Sequence, residues 1–124
     1  MAIDAEVLEE LERSLGDDPE RMRDLVETYI EDAASQMAAI RSGVESGEAD
    51  SLNRAAQTLM SNSKSVGAMD LAEMSRQLES LTQPATTDAA DLAAPEIGQR
   101  VAAISVELDR VMTELEALVP PTDG

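Results

Sequence analysis

The residues best placed to do chemistry lie in one stretch, Gln57 to Ala68, which reads QTLMSNSKSVGA. Ser61, Ser63 and Ser65 bring hydroxyls, Lys64 a cation and Gln57 an amide. A serine hydroxyl becomes a nucleophile only when a neighbouring base takes its proton. No base accompanies these serines in sequence. The whole chain of 124 residues contains no histidine and no cysteine. That removes imidazole acid–base chemistry, thiolate attack and the usual transition-metal ligands. Di-iron bundles need Glu-x-x-His pairs, and calcium loops need regularly spaced oxygen donors. Neither pattern occurs. Asp17 and Asp18 read as a helix start. The expectation is a protein that is not an enzyme, with no metal and no cofactor.

The elements that must position this stretch are all helical. Val7, Leu8, Leu11 and Leu15 recur at helical spacing behind Asp4, an N-cap residue, and stop at Gly16. Asp18-Pro19-Glu20 is a strong start signal, with proline in the first helical position. The series Met22, Leu25, Val26, Tyr29, Ile30, Ala33, Met37, Ile40, Val44 follows it, and Gly47 closes it. A third helix starts at Asp50 or Ser51, with Leu52, Ala55, Ala56, Leu59, Ser63 and Val66 facing inward and Asn53, Gln57, Met60, Ser61 and Lys64 on another, outward face. Gly67 ends or bends it. A fourth carries Leu71, Met74, Leu78 and Leu81, and stops before Pro84. Residues 84–95 read as a loop, with a turn of helix between Asp88 and Ala94. The last helix carries Ile97, Val101, Ile104, Leu108, Val111, Leu115 and Leu118, and Pro120-Pro121 ends it. The expected fold is all-α: an antiparallel up-down four-helix bundle with a short extra N-terminal helix. It forms a single domain with its core over about residues 3–118 and a frayed tail at 119–124.

Charge narrows the partners. The chain has 26 acidic and 9 basic residues, a formal charge of −17. Such a surface repels nucleic acid and anionic lipid. Tyr29 is the sole aromatic residue, so there are no base-stacking platforms. No apolar run is long enough to span a bilayer, and no basic leader precedes an apolar stretch. A cytoplasmic monomer is expected, with no nucleic acid and no membrane as partner. Between Ser51 and Met69 no acidic residue occurs, and Arg54 and Lys64 are the only charges. An acidic partner would meet less repulsion there than elsewhere.

The stretch from Gln57 to Ala68 resembles the active-site helix of histidine-containing phosphotransfer (HPt) domains, whose pattern is roughly H-x-L-K-[GS]-x-[SA]-x-x-[LVF]-G-A. The resemblance extends to GDDPE at the start of the second helix and to AMDLAEMSRQLE after the site. It covers about residues 3 to 118. It implies docking on a response-regulator receiver domain or a histidine kinase. It also implies that Gln57 stands in the place of the phosphorylated histidine and Met60 in that of the helping lysine. Ser61 keeps the small residue, and Lys64 keeps one cation further along.

Phosphoryl transfer through histidine needs a ring nitrogen with a free lone pair, and an amide nitrogen has none to give, because its pair is delocalised into the carbonyl. Three functional expectations follow. In the first, the chain docks on its partner without carrying phosphate, through Gln57, Met60, Ser61, Lys64 and Arg54. Leu8, Leu11 and Leu15 then add apolar contacts. In the second, it is a site-ablated variant of an active phosphorelay protein, although one substitution would not account for Met60. In the third, it is a structural or dimerisation bundle. The methionines Met37, Met69, Met74 and Met112 read as core or half-core residues, and Met60 as a surface residue of the binding face.

Overall fold

A computed structural model describes residues 1–118. Six helices follow one another: α1 (Ala5–Ser14), α2 (Pro19–Ser46), α3 (Ala49–Ser65), α4 (Met69–Leu81), α5 (Ala89–Leu92) and α6 (Pro95–Leu118). No strand occurs among the described residues. Helix α2 packs on α3, α3 on α4, α4 on α6, and α6 back on α2. The result is the antiparallel four-helix bundle expected from the sequence, with α1 as the extra N-terminal helix. The expected frayed tail and the Pro120-Pro121 stop lie outside the described residues.

The helix boundaries have chemical causes. Asp4 accepts the Glu6 N–H at 3.0 Å and starts α1. Gly16 and Asp17 turn the chain out of it at φ 75° and 54°. Asp18 accepts the Glu20 N–H at 3.0 Å, and Pro19 opens α2. Gly47 ends α2 at φ 71°. Helix α3 begins at Ala49, earlier than the expected Asp50 or Ser51. Its N-cap, Glu48, makes no side-chain capping bond, so the sequence carried no cue there. The expected helical turn between Asp88 and Ala94 is α5, held by reciprocal capping between Asp88 and Asp91.

The end of α3 is fixed more tightly than the others. The Ala68 N–H reaches the Ser63 carbonyl at 2.9 Å and the Gly67 N–H the Lys64 carbonyl at 3.1 Å. This paired reverse bonding requires a left-handed residue, and Gly67 supplies it at φ 84°. The Gly67 carbonyl in turn accepts the Asp4 N–H at 2.8 Å. A Cβ on Gly67 would lie 2.9 Å from the Asp4 carbonyl oxygen. The start of α1 is therefore pinned to the end of α3.

One hydrophobic cluster fills the bundle. From α3 it takes Leu52, Ala55, Ala56, Leu59 and Val66; from α6 it takes Ile97, Val101, Ile104, Leu108, Val111 and Leu115. Leu118, expected in that seam, is 54% exposed. It sits in the last turn of α6 and borders a surface hollow with Glu12 and Pro19. Ala2 and Ile3 are buried ahead of the first helix, and their N–H groups donate to the Glu114 carboxylate at 2.7 and 3.2 Å. Glu107 is buried on α6, where Arg110 donates to one of its oxygens at 3.0 Å.

Two contacts between α2 and α3 set their register. At Gly43 the helices cross so closely that an added Cβ would lie 2.8 Å from the Leu52 Cβ and 3.2 Å from its backbone. Further along, the buried Tyr29 hydroxyl and the buried Ser63 hydroxyl are 2.9 Å apart in a hydrogen bond. Burial raises the Tyr29 pKa above its ordinary value of 10.0.

Gly43→Ala is expected to destabilise the fold by about 1–3 kcal/mol in urea titrations, because overpacking outweighs the gain in helix propensity. Tyr29→Phe is expected to cost about 1–2 kcal/mol by stranding the Ser63 hydroxyl. A raised phenol pKa means that the folded state holds its proton longer than the unfolded chain does. The stability this confers is complete below pH 10.0 and is lost as pH rises toward the higher folded-state value. The alkaline decline in melting temperature should therefore be shallower in Tyr29→Phe.

Candidate functional site

Helix α3 divides its residues cleanly between core and surface. Leu52, Ala55, Ala56, Leu59 and Ser63 are buried, and Val66 is buried at its C-cap. Every inward position expected from the sequence is therefore inside. Gln57, Ser61 and Lys64 follow one another at steps of four and three and are exposed, as is Arg54. Met60 is half-buried at the edge of this face. The structure thus brings Gln57, Met60, Ser61, Lys64 and Arg54 onto one side of one helix.

Three candidate positions differ from expectation. Asn53, expected on the outward face, is half-buried, and its side-chain amide donates to the Glu79 carbonyl at 2.8 Å. It ties α3 to the end of α4, where the same carbonyl also accepts the Thr82 N–H at 3.2 Å and the Gln83 side-chain amide at 3.1 Å. Leu8, expected to offer a surface contact, is 4% exposed and belongs to the core. The pinned start of α1 turns it inward. Leu11 and Leu15 are only partly buried, so α1 retains some apolar surface. Met69, expected in the core or half-core, is 42% exposed at the first position of α4.

The electrostatics of the face are simpler than its residue types suggest. Arg54 pairs with Asp50 one turn earlier at 3.0 Å, so the two charges largely cancel. Both side chains are well exposed, and such pairs contribute little to stability. Lys64 takes part in none of the ion pairs among the described residues. It is the uncompensated cation of the face. Across the gap on α4, Arg76 binds Glu73 through three hydrogen bonds of 2.7–3.1 Å. These bonds lower the Glu73 pKa and raise that of Arg76.

Two grooves flank the face. One lies between α3 and α4 and is lined by Met60, Lys64, Met69, Ala72, Glu73 and Arg76. The other lies under α1 and is lined by apolar Leu11, Leu25, Tyr29 and Val66 together with polar Thr28, Asp32, Asn62 and Ser65. The sequence did not point to either groove, since each is made by residues of separate helices.

The serines have no chemical partner. The Ser65 hydroxyl bonds back to the Ser61 carbonyl at 3.2 Å, and Ser63 is engaged with Tyr29. Among the described residues, no group of histidine, cysteine or carboxylate side chains is placed to hold a metal ion. No described helix is long and apolar enough to cross a membrane. The face presents an amide at its centre, a thioether at one edge and an ammonium outside every ion pair of the described residues.

Comparison with known proteins agrees with this architecture. A search of curated proteins finds no match. Among solved structures, the chain is similar to histidine-containing phosphotransfer protein B (HptB) from Pseudomonas aeruginosa PAO1. The TM-score is 0.77 at 20% identity, covering 94% of this chain and 92% of that one. At that identity the likeness speaks for the fold. The family model described as Hpt domain matches residues 24–118, which include α3 and the whole of its exposed face. The chain belongs to the Hpt domain family.

Proposed function

We propose that this chain is a two-component signalling module that docks on a response-regulator receiver domain or a histidine kinase without carrying phosphate. It acts by occupancy and competes with phosphate-carrying partners for the same surface. The observation that supports this most is Gln57, exposed at the centre of the α3 face in a chain without any histidine. Its amide keeps hydrogen-bonding reach but offers no lone pair for phosphoryl attack. Met60 adds apolar area beside it, and Ser61 and Lys64 complete the contact face. Arg54 adds a charge on the same side of α3, and the partly buried Leu11 and Leu15 offer apolar surface from α1.

The same reading takes the chain as a cytoplasmic monomer that is not an enzyme. Its partners exclude nucleic acid and membranes, which the net charge of −17 disfavours. Docking tolerates that charge because the contact face contributes only the Arg54–Asp50 pair and Lys64. Complementary potential across such a face sets partner choice and association rate more than raw affinity.

Phosphorylated receiver domains from the source organism should leave no phosphoryl label on this chain, while at least one of them binds it. Gln57→His together with Met60→Lys should restore measurable label. Full recovery from Gln57→His alone would instead favour a site-ablated variant of an active phosphorelay protein. A screen in which no receiver and no kinase binds removes the docking reading. Gln57→Glu should weaken binding by about tenfold, the scale of one like charge at the centre of a contact with an acidic partner, and leave helicity by circular dichroism unchanged.

A further inference from the structure

The two grooves beside the α3 face are not equivalent. The groove under α1 is partly apolar, but its lining includes Asp32 and no cation. In a chain of charge −17 an added carboxylate there repels an acidic visitor further. The groove between α3 and α4 differs in three respects. Its floor carries two methionines, Met60 and Met69, the second 42% exposed. Its one carboxylate, Glu73, is already occupied by Arg76 through three hydrogen bonds. Its remaining charge, Lys64, is unpaired among the described residues.

Thioether side chains are unbranched and polarizable, and they reshape around whatever apolar group enters. The groove encloses about 240 Å³ and is open to solvent. That is below the roughly 300–1,000 Å³ of sites that bury a small ligand. It suits one large aliphatic side chain from a protein surface.

We infer that the α3–α4 groove is the specificity subsite of the docking face. It takes one aliphatic side chain of an acidic receiver-domain partner between Met60 and Met69, and Lys64 pairs with a partner carboxylate beside it. This rests on the docking function proposed above and adds to it the chemistry that selects the partner. A cation at position 60 would leave a charged head at the mouth of the groove and oppose burial of that side chain. Methionine at that position favours it. The ion pair at Lys64 lies at the rim, so it governs encounter and register, whereas the methionine contacts govern residence time.

The test uses the intact chain labelled with 13C at its methionine methyl groups, titrated with each purified receiver domain of the source organism. Seven methionines give seven reporters, assigned through Met60→Leu and Met69→Leu. The methyl signals of Met60 and Met69 should shift on binding, while those of Met22 and Met37, both buried in α2, should hold. Met60→Ala and Met69→Ala should each weaken binding by about fivefold to tenfold, the range of a contact worth more than 1 kcal/mol. Lys64→Gln should make affinity less sensitive to salt. A receiver that binds with the Met60 and Met69 methyls unmoved overturns the subsite and leaves the docking function standing. An unchanged salt dependence in Lys64→Gln overturns the carboxylate contact. Binding by no receiver overturns the subsite, and binding by no kinase either removes the docking function with it.

Discussion

The rotation of α3 about its own axis is the constraint on which the site depends. Successive residues on a helix differ by about 100°, so a one-residue slip would carry Gln57 toward α2 or α4 and bring a core leucine out. Two contacts with α2 prevent this. At one end, Gly43 lets the two backbones approach until Leu52 fills the space where a side chain would stand. Near the other, the Tyr29 and Ser63 hydroxyls meet inside the core. The first is steric and the second directional, and a buried hydroxyl pair is costly to separate. Together they hold both ends of the helix against one neighbour, and Asn53 adds a tie to α4.

Much of this was legible in the sequence, for physical reasons. The inward stripe of α3 follows from helical spacing, and each expected member is inside. The starts of α1 and α2 follow from Asp4, Asp18 and Pro19, whose side chains act within three residues of themselves. What was not legible depends on partners distant in sequence. Gly43 is no member of the expected apolar series, and its value lies in what α3 places against it. Asn53 looked like a surface residue, because only the fold brings the Glu79 carbonyl to it. Leu8 and Leu118 obey the helical period. A period says which face a residue shares but not how far the neighbouring helix extends. Leu8 lies where α1 is pinned and is covered, whereas Leu118 lies past the end of its cover.

On the proposed function, chemistry and recognition separate on one scaffold. Nucleophilic function resides in a few atoms of one side chain, and replacing imidazole by amide removes it outright. Contact function is spread over the area and charge of a face, so the proposed docking does not hang on that one side chain. In that proposal the low charge of the α3 face, on a chain of net charge −17, eases the approach of an acidic protein.

The strap formed by Ala2, Ile3 and Asp4 also has a bearing on how the molecule comes together. Its hydrogen bonds to Glu114 join positions 112 and 111 residues apart, and its bond to Gly67 reaches the end of α3. Closing so long a loop is entropically expensive and is repaid only once both ends have something to hold. During synthesis this strap must wait for α6 before it can settle. The helical hairpins can form early, but the segment that fastens α1 to the end of α3 docks late. Amide exchange should accordingly be faster at Ala2 and Ile3 than in the middle of α3, because these contacts lie among the first to open.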